Sequence, residues 1–193
     1  MIEKQHIHRR LKFCISGAAE TGHCSIDALD VGKAIGKGIA DMGGILVNGA
    51  TTGFPYWAAI GAKEGNGFTI GISPAASEKE HVEQYKLPID YMDMVVYTGF
   101  GYSGRNLLLT RSSDAVIIGC GRIGTLNEFT IAFEDGKPIG ILAESGGTTD
   151  LLDEIIKVSN RAKDNANIVI EKDPLVLLKR LTEVVNKVKE QGV

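Results

Sequence analysis

Seven short apolar runs alternate with longer stretches of helical spacing from residue 11 to the end of the chain. The runs occupy 11–17, 44–49, 68–75, 94–99, 114–119, 137–145 and 167–173. They show little of the in/out alternation of a half-solvated strand, so both faces of each are expected to be buried. Between them, 26–43 carries Ala28, Val31, Ile35 and Ile39 at helical spacing. Further helices are read at 56–65, 103–113, 125–136, 149–162 and 174–191, with a polar surface helical turn at 77–85. The last helix opens on Pro174, which suits a first turn because it lacks only an amide that a helix start leaves unpaired. This order predicts an α/β fold: a doubly wound, mainly parallel sheet flanked by helices, Rossmann-like. One such domain over 11–193 is expected, after a flexible arm at 1–10.

Glycine supports the same reading. The chain has 24, where the usual ~7% of 193 residues gives about 14, and they gather where strands turn into helices. Charge and hydropathy narrow the partners. Net charge is −3, and the one basic cluster is His8-Arg9-Arg10, so nucleic acid is not expected as the main partner. No apolar run reaches the ~18 residues of a membrane span. No leader-like apolar segment opens the chain. Cys14, Cys24 and Cys120 form no C-x-x-C and are expected as reduced thiols in a cytoplasmic protein, with Cys14 a small buried apolar residue.

Ligands of doubly wound sheets bind beyond the carboxyl ends of the strands. The segments there are small and hydroxyl-bearing: Ser16-Gly17 after the first run, Asn48-Gly49-Ala50-Thr51 after the second, and Gly119 through Thr125 after the fifth. Backbone amides approach an anion closely at such turns, and a helix N-terminus favours negative charge. Gly124-Thr125 at a helix start is a phosphate seat. Arg122 either adds a phosphate contact or fills the pocket.

Gly119, Gly121 and Gly124 also spell G-x-G-x-x-G, and Glu144 lies about 20 residues on, where a ribose-binding acid belongs in a dinucleotide site. That fingerprint normally lies in the first strand-to-helix turn. Here it is in the fifth, with about 70 residues left for the rest of a cofactor fold, so the dinucleotide reading is set aside.

Thr125 and Glu128 point elsewhere. GCGRIGTLNE resembles the P-G-G-x-G-T-x-x-E motif of the LOG family, cytokinin-activating phosphoribohydrolases often mislabelled lysine decarboxylases. About two dozen residues upstream that family carries an arginine motif, M-H-x-R-K, and YSGRN places Arg105 at the matching position. The resemblance covers about 11–145. Cys120 stands where the family has proline, Arg122 where it has the second glycine and Asn106 where it has lysine. In these features, and in SSDAVI and GKPIGIL, the chain is closer to a neighbouring branch that includes molybdenum-cofactor carrier proteins.

The resemblance implies cleavage of the N-glycosidic bond of a nucleoside 5′-monophosphate, giving free base and ribose 5-phosphate. Glu128 would stabilise an oxocarbenium-like transition state and activate water. Arg105 would anchor phosphate or sugar and hold Glu128 ionised. Ser16, Gly17, Gly49, Gly121, Arg122, Gly124 and Thr125 would hold the phosphate or nucleotide. The alternative is a non-catalytic carrier of a nucleotide or a molybdenum-cofactor pterin. A homodimer or higher homo-oligomer is implied, with the helix around PYWAAIGA as a candidate contact.

No cofactor is expected, since no lysine marks a pyridoxal-phosphate site. No metal is expected either: the pairs His23-Cys24 and His6/His8 are not a ligand set. His81, in a polar segment, is expected to be solvated. Trp57, with Phe54 and Tyr56, is expected in the core or at a dimer contact.

Overall fold

The computed structural model describes residues 10–160 and 166–190. Seven strands form one sheet: β1 (Lys12–Ser16), β2 (Ile45–Asn48), β3 (Phe68–Ser73), β4 (Met94–Tyr97), β5 (Ala115–Ile118), β6 (Ile139–Leu142) and β7 (Ile168–Glu171). Every pairing is parallel, in the order β4-β3-β2-β1-β5-β6-β7. The helices are α1 (Ala28–Asp41), α2 (Phe54–Glu64), α3 (Glu78–Glu83), α4 (Gly101–Arg111), α5 (Ile123–Glu134), α6 (Leu152–Val158) and α7 (Pro174–Glu190), with a 3-10 turn at Thr148–Leu151. The doubly wound fold expected from the sequence is the one observed. Strands run two to five residues shorter than the apolar runs, because the expected spans included turn residues at their ends.

Side-chain parity along each strand sorts the core into two layers. Phe13, Ile15, Leu46, Ala115 and Ile117 face one side, where Ile35 and Ile39 of α1, Ala58 and Ala62 of α2, and Leu177 and Leu181 of α7 cover them. Cys14, Val47, Val116 and Ile118 face the other, beneath Leu109 of α4, Phe129 and Phe133 of α5, and Leu152 and Ile156 of α6. The free Cys14 is fully buried, as expected, and burial pushes its thiol pKa up.

α1 and α2 touch backbone to backbone. A Cβ on Gly36 would lie 1.8 Å from the Ala58 carbonyl oxygen, and one on Gly61 would lie 1.9 Å from that of Lys33. The small face of α2 is therefore spent inside the chain, with Phe54 in the core and Tyr56 and Trp57 half-buried.

Two expectations near the sheet edge and the arm need restating. His81 is fully buried, not solvated. Its ring bridges Ser73 Oγ (2.8 Å to Nδ1) and the Pro88 carbonyl (3.0 Å to Nε2), so a hydrogen on Nε2 and a lone pair on Nδ1 satisfy both partners. A polar helix turn hid this because the partners come from β3 and the following loop. Residues 1–9 of the expected arm, including His6 and His8, lie outside the described residues. Arg10 itself is anchored, its Nε donating to the Gly43 carbonyl at 3.0 Å.

Candidate functional site

Strand order reverses between β1 and β5, and a crevice opens there at the carboxyl ends of the strands. β1 delivers Ser16 and Gly17 to one wall, and β5 delivers the turn into α5 to the other. α4 reaches across with Arg105. The loop after β2 closes the back. In that loop the Asn48 side chain accepts from the Ala50 amide (2.9 Å) and donates to the Pro55 carbonyl (3.2 Å), which fixes the path through Gly49. A Cβ on Gly49 would sit 2.1 Å from Arg105 Nη1, so only glycine there leaves room for the guanidinium.

The centre of the site is a buried ion pair. Arg105 Nη1 donates to Glu128 Oε1 at 3.0 Å, and each residue is 5% exposed. Ser16 Oγ donates to Glu128 Oε2. In the orientation that satisfies its neighbours, the Asn106 amide nitrogen donates to Glu128 Oε1 and to the Tyr102 carbonyl, both at 2.9 Å. Both carboxylate oxygens are thus engaged. Burial still dominates: it raises the Glu128 pKa above its ordinary value, against the opposing pull of Arg105 and Ser16. Arg105 pulls towards the ionised form, and its charge offsets part of the desolvation. Arg105 Nε is buried with no hydrogen-bond partner among the described residues.

A cavity of about 530 Å³ opens onto this pair. Gly17, Gly49, Arg105, Glu128, Arg122, Gly124 and Thr125 all line it, and Ser16 supports it through Glu128. The first turn of α5 forms part of the wall. Nothing would meet a Cβ on Gly124, so the backbone there is open to a ligand. The Thr125 hydroxyl accepts from the Arg122 amide (3.3 Å), which leaves its own proton to donate. Arg122 is exposed at the mouth and pairs with Glu20 at 2.5 Å, linking the β1–α1 loop to the β5–α5 loop.

Gly121 stands apart from the other expected residues and does not line the cavity. Its carbonyl accepts from Thr148 N (3.0 Å), and a Cβ would meet Thr125, Thr148 and Thr149 at 2.7–2.8 Å. It is a packing point behind the loop. Glu144, the acid of the dinucleotide reading, is exposed, pairs with Lys172 at 2.5 Å and is absent from the cavity wall.

The structure adds residues that the sequence reading did not assign to the site. Tyr102 carries its ring 5.9 Å from the Arg105 guanidinium, and Asn106 and Asn127 complete the wall. Tyr102 and Asn106 lie three before and one after Arg105, a spacing that could have marked them.

The expectation of three reduced thiols is overturned. Cys24 and Cys120 form a disulfide, their Cα atoms 5.5 Å apart although 96 positions separate them. Spacing along the chain could not show this, because it is the β1/β5 adjacency that brings the two loops together. His23 lies beside them, Nε2 being 3.2 Å from the Gly121 carbonyl and 3.7 Å from Cys120 Sγ.

A parallel sheet with a cavity at its switch point, walled by a buried ion pair, defines a Rossmann-like α/β protein. A model of the SLOG cluster4 family matches residues 10–178, and the chain belongs to that family. The LOG-like resemblance read from Arg105 and Glu128 is thereby borne out. Among solved structures, the molybdenum cofactor binding protein of the phototrophic bacterium Rippkaea orientalis is similar, at 28% identity and a TM-score of 0.76, covering 93% of this chain and 99% of that one. The molybdenum cofactor carrier protein of Chlamydomonas reinhardtii follows at 25% identity and a TM-score of 0.72, covering 92% and 99%. An uncharacterized protein of Archaeoglobus fulgidus is 30% identical over 132 residues, 68% of this chain and 82% of that protein. Among the described residues, no helix is long and apolar enough to cross a membrane.

Proposed function

We propose that the cavity at the switch point binds a phosphate-bearing, nucleotide-like small molecule, and that the chain hydrolyses the N-glycosidic bond of a nucleoside 5′-monophosphate. The observation that carries this reading is the buried Arg105–Glu128 pair, 3.0 Å apart on the wall of a cavity that the N-terminus of α5 also lines. The phosphate would take the amides around Gly124, the Thr125 hydroxyl and, by releasing Glu20, the Arg122 guanidinium. Arg105 would hold the ribose. As the bond from C1′ to the base nitrogen breaks, its electron pair leaves with the base and positive charge develops at C1′. Ionised Glu128 would stabilise that charge and take a proton from the attacking water as its oxygen bonds to C1′; that proton then passes from Glu128 through solvent to the departing base nitrogen, which regenerates the carboxylate. Ser16 and Asn106 position the carboxylate.

A second reading, a carrier for a nucleotide or a molybdenum-cofactor pterin, is favoured by one specific observation. Both Glu128 oxygens are already engaged by Arg105, Asn106 and Ser16, an arrangement suited to holding a ligand without turnover. The likeness to molybdenum-cofactor carriers supports the same reading.

Incubation with a panel of nucleoside 5′-monophosphates, followed by chromatography for free base and ribose 5-phosphate, separates the two. Release by the wild type and not by Glu128→Gln supports the hydrolase. No release, together with thermal stabilisation by one of those ligands or by a molybdopterin, supports the carrier. The reading includes a cytoplasmic location for the chain. The reading also includes a homodimer or higher homo-oligomer. Ile123, on the cavity wall, and exposed Phe100, Leu107 and Leu108 of the α4 region are apolar side chains that a second copy would cover. Light scattering that gives only a monomer mass would exclude it.

A further inference from the structure

Three soft-metal donors converge behind the glycine loop. His23 and Cys24 come from the β1–α1 loop, and Cys120 ends the turn after β5. His23 Nε2, Cys24 Sγ and Cys120 Sγ all lie within 4.8 Å of one another. The backbone presenting them is held by bonds other than the disulfide. Ala18 N donates to the Cys120 carbonyl (2.7 Å), Ser25 N donates to the Ser145 carbonyl (3.0 Å), and Cys24 forms a β-bridge with Gly146. Cys120 is buried, Cys24 half-buried and His23 exposed, so the cluster opens to solvent on one side.

We propose that His23, Cys24 and Cys120 form a redox-gated site for a thiophilic divalent cation of the Zn²⁺ type, closed as the disulfide and competent as the dithiol. Two thiolates and one imidazole leave a fourth tetrahedral position for water or another ligand. Zn–S bonds of about 2.3 Å put the two sulfurs roughly 3.7 Å apart. The Cα separation of 5.5 Å leaves that within reach of χ1 rotation. His23 Nε2 would release the Gly121 carbonyl and offer its lone pair, the ring proton passing to Nδ1. Opening the site takes two electrons and two protons from a thiol or dithiol reductant, which leaves as its own disulfide. The cation then displaces the two thiol protons. Oxidation of the dithiol by a disulfide of the same class reverses the step and expels the metal. Cys120 directly precedes Gly121, so the state of the trio bears on the turn that leads into α5.

The test uses the full chain, reduced and desalted without oxygen, titrated with Zn²⁺ against a chromophoric chelator and, separately, with Co²⁺ by absorption. The dithiol form is expected to bind one equivalent of Zn²⁺ and to show a thiolate-to-Co²⁺ charge-transfer band, while the disulfide form does neither. Cys120→Ser is expected to lose the band and weaken Zn²⁺ binding by about 100-fold or more. His23→Gln, an exposed change, is expected to weaken Zn²⁺ binding about tenfold while still forming the disulfide and melting as wild type does. Absence of stoichiometric Zn²⁺ binding by the folded dithiol, or equal affinity in wild type and Cys120→Ser, would overturn the proposal.

Discussion

Arg105 Nη1 and Glu128 Oε1 stand 3.0 Å apart in the core of the crevice, joined across 23 positions of sequence by the packing of α4 on α5. Removing either partner leaves the other charge buried. Arg105→Met and Glu128→Gln are each expected to cost about 3–5 kcal/mol of unfolding free energy. The double variant is expected to cost less than the sum, with a coupling of about 1–3 kcal/mol in a urea-denaturation cycle.

The pH dependence follows from the burial of Glu128, which raises its pKa above the ordinary 4.5 despite Arg105 and Ser16. In the unfolded chain this group titrates near ~4.3. Between that value and the raised one, the folded state binds more proton than the unfolded, so stability contributed by protonated Glu128 is present at low pH and lost as pH rises through the folded pKa. Glu128→Gln is expected to flatten this part of the stability curve. Hydrolysis needs the ionised form, so its rate is expected to rise with pH through an apparent pKa above that of an ordinary glutamate. A rate already at its plateau near pH 4.5 would contradict this.

Gly49→Ala places a methyl carbon 2.1 Å from Arg105 Nη1 and 2.6 Å from its Cζ. The guanidinium must move, and about 1–3 kcal/mol of overpacking goes with it. Affinity for a nucleoside monophosphate is expected to fall by more than about tenfold, the equivalent of ~1.4 kcal/mol, measured by calorimetric titration.

How much of this was legible in the sequence depends on the range of each contact. Unbroken apolar runs gave the parallel sheet, because a strand covered on both faces must read that way. Arg105 and Glu128 were legible through paired motifs of a known spacing. The environment of Glu128 was not, since Ser16 and Asn106 reach it from two other elements. His81 and the cysteines failed for the same reason. Local polarity says nothing of a Ser73 hydroxyl and a Pro88 carbonyl folded around a ring, and 96 intervening residues hide a disulfide until strand order is known.

That disulfide closes a long loop of the unfolded chain. Cys24→Ser is expected to cost about 2–4 kcal/mol under non-reducing conditions. In a strong reductant, wild type and variant should unfold at the same denaturant concentration. A persistent difference there would assign the effect to the serine itself and not to the lost cross-link.

The central claim is that the Arg105–Glu128 cavity receives a phosphate-bearing ligand. Calorimetric titration of wild type and Arg105→Met with nucleoside 5′-monophosphates tests it most directly, provided near-ultraviolet circular dichroism shows the variant folded. The account predicts binding of at least one monophosphate by the wild type, and an affinity lower by about tenfold or more in the variant. Binding by neither, or equal affinity in both, would contradict it.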